Sequence, residues 1–317
     1  MREIYPLFEK YNSGFIDVGS GHQLYYEESG NPEGTPVIFV NGGPGGFSKP
    51  RHRQYFNPDK YRVIAYNQRG CNNSKFVDLL KDNTTQDLIE DIEKIRKHLG
   101  IYKWIMNGRS WGSTLVLAYA QKYPQNITAI ITGGVFLTKN SDEEFIYKFG
   151  ANQLFPESYQ RFLEYFDVKD KSELYKNMKE YIYQDNIEKA YESTMEMFRY
   201  EGSISLLVPE DQETEEEIDL ETKKRLINSG KIFFHYLENN FFISEDHFLD
   251  DIGKINNIPG VIIQGRYDLI CPFVNAWNLH RLWPKAEFVT TIAGHNGSDA
   301  ENVEKILEYS DKFASLV

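Results

Sequence analysis

A serine hydroxyl is a poor nucleophile at neutral pH until a base takes its proton. One stretch of this 317-residue chain has the form that would present such a serine. A short apolar run, Trp104-Ile105-Met106, leads into Gly108-Arg109-Ser110-Trp111-Gly112, and an apolar helical segment begins at Ser113. Between a strand and a helix, glycines two residues before and after a serine permit a turn so tight that a side chain at either would strike its neighbour. The turn holds the serine in a strained conformation above the sheet edge. It also places the N–H of Trp111 at a helix N-terminus, where it can meet an oxyanion. The chemistry is acyl transfer.

Where a serine sits on such a turn, its partners follow along the chain in the order acid, then histidine. Of the seven histidines, His22, His52 and His98 precede Ser110, His235 and His247 lie in a helical stretch, and His280 sits within an amphipathic helix. His295 alone lies in a glycine-flanked loop directly after a strand pattern, within Ile292-Ala293-Gly294-His295-Asn296-Gly297. Asp268 closes Gly265-Arg266-Tyr267-Asp268 after the preceding apolar run, where it would orient the imidazole and stabilise the imidazolium. A second oxyanion donor is expected in Asn41-Gly42-Gly43-Pro44-Gly45-Gly46, whose glycines let the N–H of Gly43 (or Gly42) approach a tetrahedral intermediate. Pro44 removes a donor and no Lys-Ser/Thr follows, so this is no phosphate-cradling loop, and the glycine spacing of a dinucleotide site is absent.

These residues need a frame. Phe15 to Val18 and Gln23 to Ser29 read as a hairpin turning at Gly19-Ser20-Gly21. Short apolar runs suited to parallel strands buried on both faces follow at Val37 to Val40, Val63 to Tyr66, Trp104 to Met106 and Ile127 to Ile131. Leu88, Ile92, Ile95 and Leu99 mark a helix capped by Thr84 or Thr85 and stopped by Gly100. Alternation resumes late, with strands at Val261 to Gln264 and Phe288 to Ile292 flanking a helix from Val274 to Trp283, and a last helix from about Ala300 to Leu316. The stretch from about Lys139 to His247 is instead aromatic, charged and mostly helical, including an acidic run from Glu210 to Glu221 read as a solvated helix face. The expected fold is therefore the α/β-hydrolase fold: a mostly parallel central sheet with helices on both faces, and a helical cap inserted after the sixth strand. The expected division is 1–138 core, 139–247 cap and 248–317 core.

Composition narrows the partners. A net charge of −12 argues against nucleic acid or an anionic membrane. No run is long and apolar enough to span a bilayer, and the N-terminal residues lack a signal-peptide core. Two cysteines, Cys71 and Cys271, are too few for a disulfide framework or a structural zinc site, and no cluster has metal-ligand spacing. A cytoplasmic protein without metal or other cofactor is expected.

The chain resembles the prolyl aminopeptidases, or proline iminopeptidases, of the α/β-hydrolase superfamily. The resemblance rests on Gly42 to Gly46, Gln68-Arg69-Gly70-Cys71, Ser110 to Leu115, Leu117 to Gln121, Gly265 to Asp268 with Cys271-Pro272, Asn275-Ala276-Trp277 and Ala293-Gly294-His295. It implies release of proline from peptides or small amides with a free N-terminal proline, through a Ser-His-Asp triad and a prolyl-enzyme. Tyr200-Glu201-Gly202-Ser203 and Glu238-Asn239-Asn240-Phe241-Phe242 resemble two cap segments whose glutamates receive the substrate's amino end, which implies that role for Glu201 and Glu238. Phe136 and Tyr147 match aromatic positions of the proline pocket, and Cys271 falls close to Asp268. Asn41, Asn67, Asn72, Asn73, Arg109 and Asn296 depart from the family pattern near the chemistry without removing a triad residue. Two other readings fit the same triad: an esterase or acylamide hydrolase with a neutral acyl site, and a weakly active relative that binds small amines.

Overall fold

The protein, described here from a computed structural model, has its residues 2–208 and 218–316 placed. Among these described residues eight strands form one sheet in the order β1-β2-β4-β3-β5-β6-β7-β8. They are β1 (Lys10–Gly19), β2 (His22–Gly30), β3 (Thr35–Val40), β4 (Tyr61–Tyr66), β5 (Trp104–Ser110), β6 (Ile127–Val135), β7 (Gly260–Gly265) and β8 (Ala286–Thr291). β1 and β2 form the expected antiparallel hairpin, β2 runs antiparallel to β4, and every later pair is parallel.

Each parallel strand reads as a continuous apolar run because its two faces are covered by different layers. Ile38, Val40, Ile64, Met106, Ile130 and Ile262 join the larger core. Their alternates Val37, Phe39, Val63, Ile105, Ile131, Val261 and Ile263 join the smaller one. On the first face lie helices α1 (Thr85–His98), α2 (Trp111–Lys122) and, late in the chain, Phe273–Leu282; on the second lies the final helix, Ala300–Phe313. Truncating a fully buried member such as Ile262 to alanine would cost about 2–5 kcal/mol. Thr84 caps α1 through a reciprocal bond with Asp87, and Gly100 just beyond its end has a φ of +64°.

Between β6 and β7 the chain forms α3 (Asn140–Tyr147), α4 (Pro156–Tyr165), α5 (Leu174–Ile182), α6 (Ile187–Ser205) and α7 (Leu220–Glu238). The aromatic richness of this stretch is its packing: Phe162 stacks on Tyr200 at 4.6 Å between centroids, and Phe166 meets both Phe162 and Tyr181 edge-on. Of the acidic run, 210–217 lies outside the described residues, and Asp219 caps α7 by accepting from the N–H of Thr222 at 2.7 Å. Among the described residues no helix is long and apolar enough to cross a membrane.

Candidate active site

Ser110 ends β5 and precedes α2, with φ 56° and ψ −132°. The two flanking glycines are sterically required. A Cβ on Gly108 would stand 2.4 Å from the carbonyl of Gly112, and one on Gly112 would stand 2.3 Å from the carbonyl of Val40. Trp111 is the first residue of α2, so its N–H belongs to the set of donors a helix leaves free. Its indole donates to Gln68 at 3.2 Å, and the Gln68 amide donates to the Asn41 carbonyl at 3.0 Å. Gln68 therefore ties the elbow to the glycine loop.

That loop, 41–46, is compact. Gly43 has a φ of +126°, and a Cβ on Gly46 would fall 2.3 Å from the Gly42 carbonyl. Gly42 packs beside Ser110, at 3.5 Å from its Cβ to a Cβ built on the glycine, and Gly43 lines the cavity over the serine. The departures from the family pattern hold this loop. Asn41 donates to the Tyr66 carbonyl at 2.6 Å and to Ser48 at 3.0 Å, while Asn67 accepts from the Ser48 N–H at 3.0 Å.

The imidazole Nδ1 of His295 lies 3.1 and 3.0 Å from the two carboxylate oxygens of Asp268. Asp268 is buried and otherwise satisfied: Oδ1 accepts from the N–H groups of Ile270 (3.0 Å) and Cys271 (2.7 Å), and Oδ2 from the Gln264 amide at 3.0 Å. Three donors besides histidine keep it an acceptor, so Nδ1 must carry a proton and Nε2 is free to act as a base. Gly134 underlies the pair. A Cβ there would approach the His295 Cε1 to 3.1 Å and the Ser110 nitrogen to 3.5 Å. Gly134 looks like an ordinary strand residue in the sequence, and only its φ of +50° marks it.

Arg109, another departure, reaches behind the histidine loop. Its guanidinium donates to the Ile263 carbonyl at 3.1 Å and the His295 carbonyl at 3.4 Å. Gly133 makes room for it, since a Cβ there would sit 2.4 Å from the Arg109 Nη1. The departing Asn296 shares the anchoring of the loop: the N–H groups of His295 and Asn296 both donate to Ser205, at 2.7 and 3.0 Å. Ser205 ends α6, and Ser229 of α7 donates to the Gly45 carbonyl at 2.8 Å. Each of these two helices thus grips one of the loops beside Ser110, a coupling no local pattern announces.

A cavity of about 160 Å³ lies over Ser110 and His295. Phe136, Tyr147, Phe233, Phe241 and Ile270 wall it, Phe136 and Phe241 meeting edge-on at 5.0 Å. Glu201 lines it and accepts a hydrogen bond from the buried Tyr147 hydroxyl. Enclosure pushes the Glu201 carboxyl above its ordinary range, opposed by that hydrogen bond and by charge on His295. Cys271 also lines the cavity, with its thiol beside the Ser110 hydroxyl; burial and then the Asp268 charge hold it neutral by pushing its titration well up.

Glu238 is not brought to this cavity. It is the last residue of α7, 46% exposed, with its carboxylate bonded to the Lys179 ammonium at 2.7 and 2.8 Å. It faces an outer groove on the far side of Glu143, which lines both spaces. Glu143 is a cavity-lining carboxylate that the sequence reading did not single out. It reads as one of three acidic residues opening α3, the usual mark of a solvated helix start.

The comparisons with known proteins agree with this fold. Residues 35–299 match the model of the alpha/beta hydrolase fold family. A proline iminopeptidase of Xylella fastidiosa is 37% identical over 315 residues, 99% of this chain and all of that protein. One from Arabidopsis thaliana is 35% identical over 319 residues, covering this whole chain and 83% of the relative. Among solved structures, a putative lipase from Acinetobacter baumannii AYE superposes with a TM-score of 0.64 at 18% identity, over 96% of this chain and 91% of that one. An esterase from Exiguobacterium antarcticum does so at 0.63 and 18%, over 95% and 98%. Those two likenesses speak to the fold. Full-length identity to the iminopeptidases goes further: the chain belongs to the proline iminopeptidase family of α/β-hydrolase enzymes.

Proposed function

We propose that this enzyme is a serine aminopeptidase that releases proline from peptides or small amides with a free N-terminal proline. Ser110 attacks the carbonyl of the first residue while His295 Nε2 takes its proton, and Asp268 stabilises the imidazolium. The N–H groups of Trp111 and Gly43 receive the oxyanion. His295 then protonates the leaving amine, and water, deprotonated by the same imidazole, hydrolyses the prolyl ester of Ser110. The helical segment 139–247 acts as the cap over this chemistry, between core segments 1–138 and 248–317. A cytoplasmic site of action belongs to the same proposal, supported by two cysteines that are buried and unpaired.

The observation that carries the reading is the cavity itself: small, aromatic, and holding a carboxylate, Glu201. A cavity of about 150 Å³ accommodates a benzene-sized ligand, so one pyrrolidine ring fits and a long acyl chain does not. A cationic amine next to the scissile carbonyl satisfies Glu201, and holding it there registers the first peptide bond on Ser110. An ester with a neutral acyl group would leave that enclosed carboxylate unmatched, at a cost of several kcal/mol if it is ionised. The test is a panel of aminoacyl fluorogenic amides, free and N-acetylated, with Ser110→Ala as the blank. Cleavage of free prolyl amide and not of the acetylated form is expected. Equal cleavage of both would favour the esterase or acylamide reading.

A further inference from the structure

The cavity of about 160 Å³ is filled by one small ring, so the group that leaves Ser110 must lie elsewhere. A second cavity, of about 500 Å³, shares Ser110, Ser205 and His295 with the first and is otherwise walled by different residues. His295 must protonate the leaving amine, and this second cavity gives that amine room beside it. Among the described residues no aspartate or glutamate lines it, whereas Lys49, His52 and Arg109 do. In a chain of net charge −12 this is a local inversion of sign.

Arg109 is the cation there without a counter-charge. A guanidinium carries five N–H donors in a planar fork. Those of Arg109 reach only main-chain carbonyls, of Ile263 at 3.1 Å and His295 at 3.4 Å, and its Nε is buried with no partner. Burial pulls its titration below the ordinary value, with the charge of Asp268 opposing. Asp268 is already committed to His295 and to three other donors. Space is left beside Nε: a Cβ built on Gly297 would touch the Arg109 Cδ and Nε at 3.5 Å, its next neighbour being the Tyr55 hydroxyl at 4.0 Å. A buried donor left unpaired on the wall of a reactive cavity is costly, and native proteins keep one where something else completes it. The His52 imidazole adds a neutral donor. Burial, and then the charges of Lys49 and Arg51, push it down to about 4, and its Nδ1 accepts from the Lys49 N–H at 3.2 Å, which leaves the proton on Nε2.

We propose that this second cavity receives the free C-terminal carboxylate of the leaving group, with Arg109 as its main donor, so that the preferred substrates are di- and tripeptides beginning with proline. The inference rests on the proline-releasing activity proposed above and names its substrate class. Beyond the scissile bond an extended chain advances about 3.3–3.6 Å per residue. A carboxylate that meets a guanidinium on the wall of this cavity therefore ends the chain one or two residues after the proline. In a longer peptide the same position carries an uncharged amide, which cannot match the charge. The fold has already desolvated Arg109, and a planar carboxylate fits its fork and offsets that cost. Arg109 is one of the departures from the iminopeptidase pattern, so the preference belongs to this chain.

The experiment measures kcat/KM on Pro-Leu against Pro-Leu-NH₂ and on Pro-Leu-Gly against Pro-Leu-Gly-NH₂, with a prolyl fluorogenic amide beside them. The proteins are wild type, Arg109→Met, Arg109→Lys and Gly297→Ala. Each pair of peptides differs only in the terminal carboxylate. A change in the acid-to-amide ratio between wild type and variant therefore reports recognition of that group, and any loss in the triad cancels. Wild type should prefer the acid in at least one pair by about tenfold or more, chiefly in KM. Arg109→Met should abolish the preference, besides lowering kcat on every substrate through the loosened His295 loop, and Arg109→Lys should keep part of it. Gly297→Ala leaves both Arg109 bonds in place and should narrow the ratio by crowding the approach to Nε. Melting temperatures check folding, and should Arg109→Met not fold, Gly297→Ala decides by the same ratio. If wild type cleaves no prolyl substrate with a free amine, the proposed function and this inference fall together. If it cleaves them without preferring the acid, or if Arg109→Met loses acid and amide activity equally and keeps the preference, only this inference is overturned.

Discussion

Replacing Asp268 with asparagine should disable the base while leaving every neighbour in place, and the hydrogen bonds around it set the size of the effect. The carboxylate accepts from the N–H groups of Ile270 and Cys271 on Oδ1 and from the Gln264 amide on Oδ2, and both oxygens face His295 Nδ1. An asparagine side chain keeps one acceptor oxygen, and the two backbone donors at 3.0 and 2.7 Å will claim it. Its NH₂ then faces Gln264 and His295. Gln264 cannot rotate to accept, because its Oε1 already receives the Val135 N–H at 3.0 Å and its Nε2 also donates to the Cys271 carbonyl at 3.0 Å. The imidazole can respond, by moving its proton from Nδ1 to Nε2. That tautomer presents an N–H to Ser110 where a lone pair is needed. In triads of this kind the wrong tautomer costs about 10⁴-fold in kcat, equivalent to about 5.4 kcal/mol of barrier. The clash of donors between the introduced amide and Gln264 should cost a further 1–3 kcal/mol of stability, roughly the penalty of one unsatisfied buried group. Stopped-flow and steady-state kinetics of Asp268→Asn on a prolyl amide, with a denaturation curve beside them, measure both. A variant that keeps more than about a tenth of wild-type kcat would refute the role given to this carboxylate.

Other outcomes follow from the same geometry. Ser110→Ala and His295→Ala should each remove nearly all turnover, and the double variant little more, because the two act as one unit; additive losses in the cycle would separate them. Gly112→Ala should destabilise by about 3 kcal/mol, the upper end of overpacking costs, since its Cβ would lie 2.3 Å from one backbone carbonyl and 3.1 Å from the next; an unchanged Tm would contradict the fit at the elbow. Glu143, whose folded carboxyl is raised from 4.5 to about 8, binds its proton more tightly folded than unfolded. Its contribution to stability is therefore full below about pH 4.5 and lost as pH rises toward 8, at up to about 1.4 kcal/mol per unit. Glu143→Gln should accordingly flatten the fall in Tm over that window, and parallel curves for variant and wild type would mean the carboxyl is not shifted.

What the sequence made legible is what local backbone requires. The elbow is readable because Gly108 and Gly112 leave no room for any other residue, and the proposed triad because chain order and strand ends single out Asp268 and His295. The parallel strands announce themselves as runs since both faces are buried, although β5 and β6 continue past those runs to Ser110 and Val135. The stretch between β6 and β7 was legible as helices, not as a site. Whether a glutamate at the end of α7 turns inward depends on the rotation of that helix against α5, where Lys179 captures Glu238. Glu143 carries the signature of a solvated helix start, and only the approach of Tyr175 and Glu201 from two other helices encloses it. The grips of Ser205 on the His295 loop and Ser229 on the glycine loop likewise join residues 90 and 184 apart in sequence, beyond any periodic pattern.

The decisive measurement is the covalent intermediate. An activated prolyl nitrophenyl ester should acylate faster than the acyl-enzyme hydrolyses, so the prolyl-enzyme accumulates and nitrophenol appears in a burst. Rapid acid quench followed by peptide mass spectrometry should find one prolyl group, on the peptide carrying Ser110, at a level equal to the burst and absent from Ser110→Ala. Steady turnover with Ser110 unmodified, or a prolyl group carried by another residue such as Cys271, would contradict the mechanism.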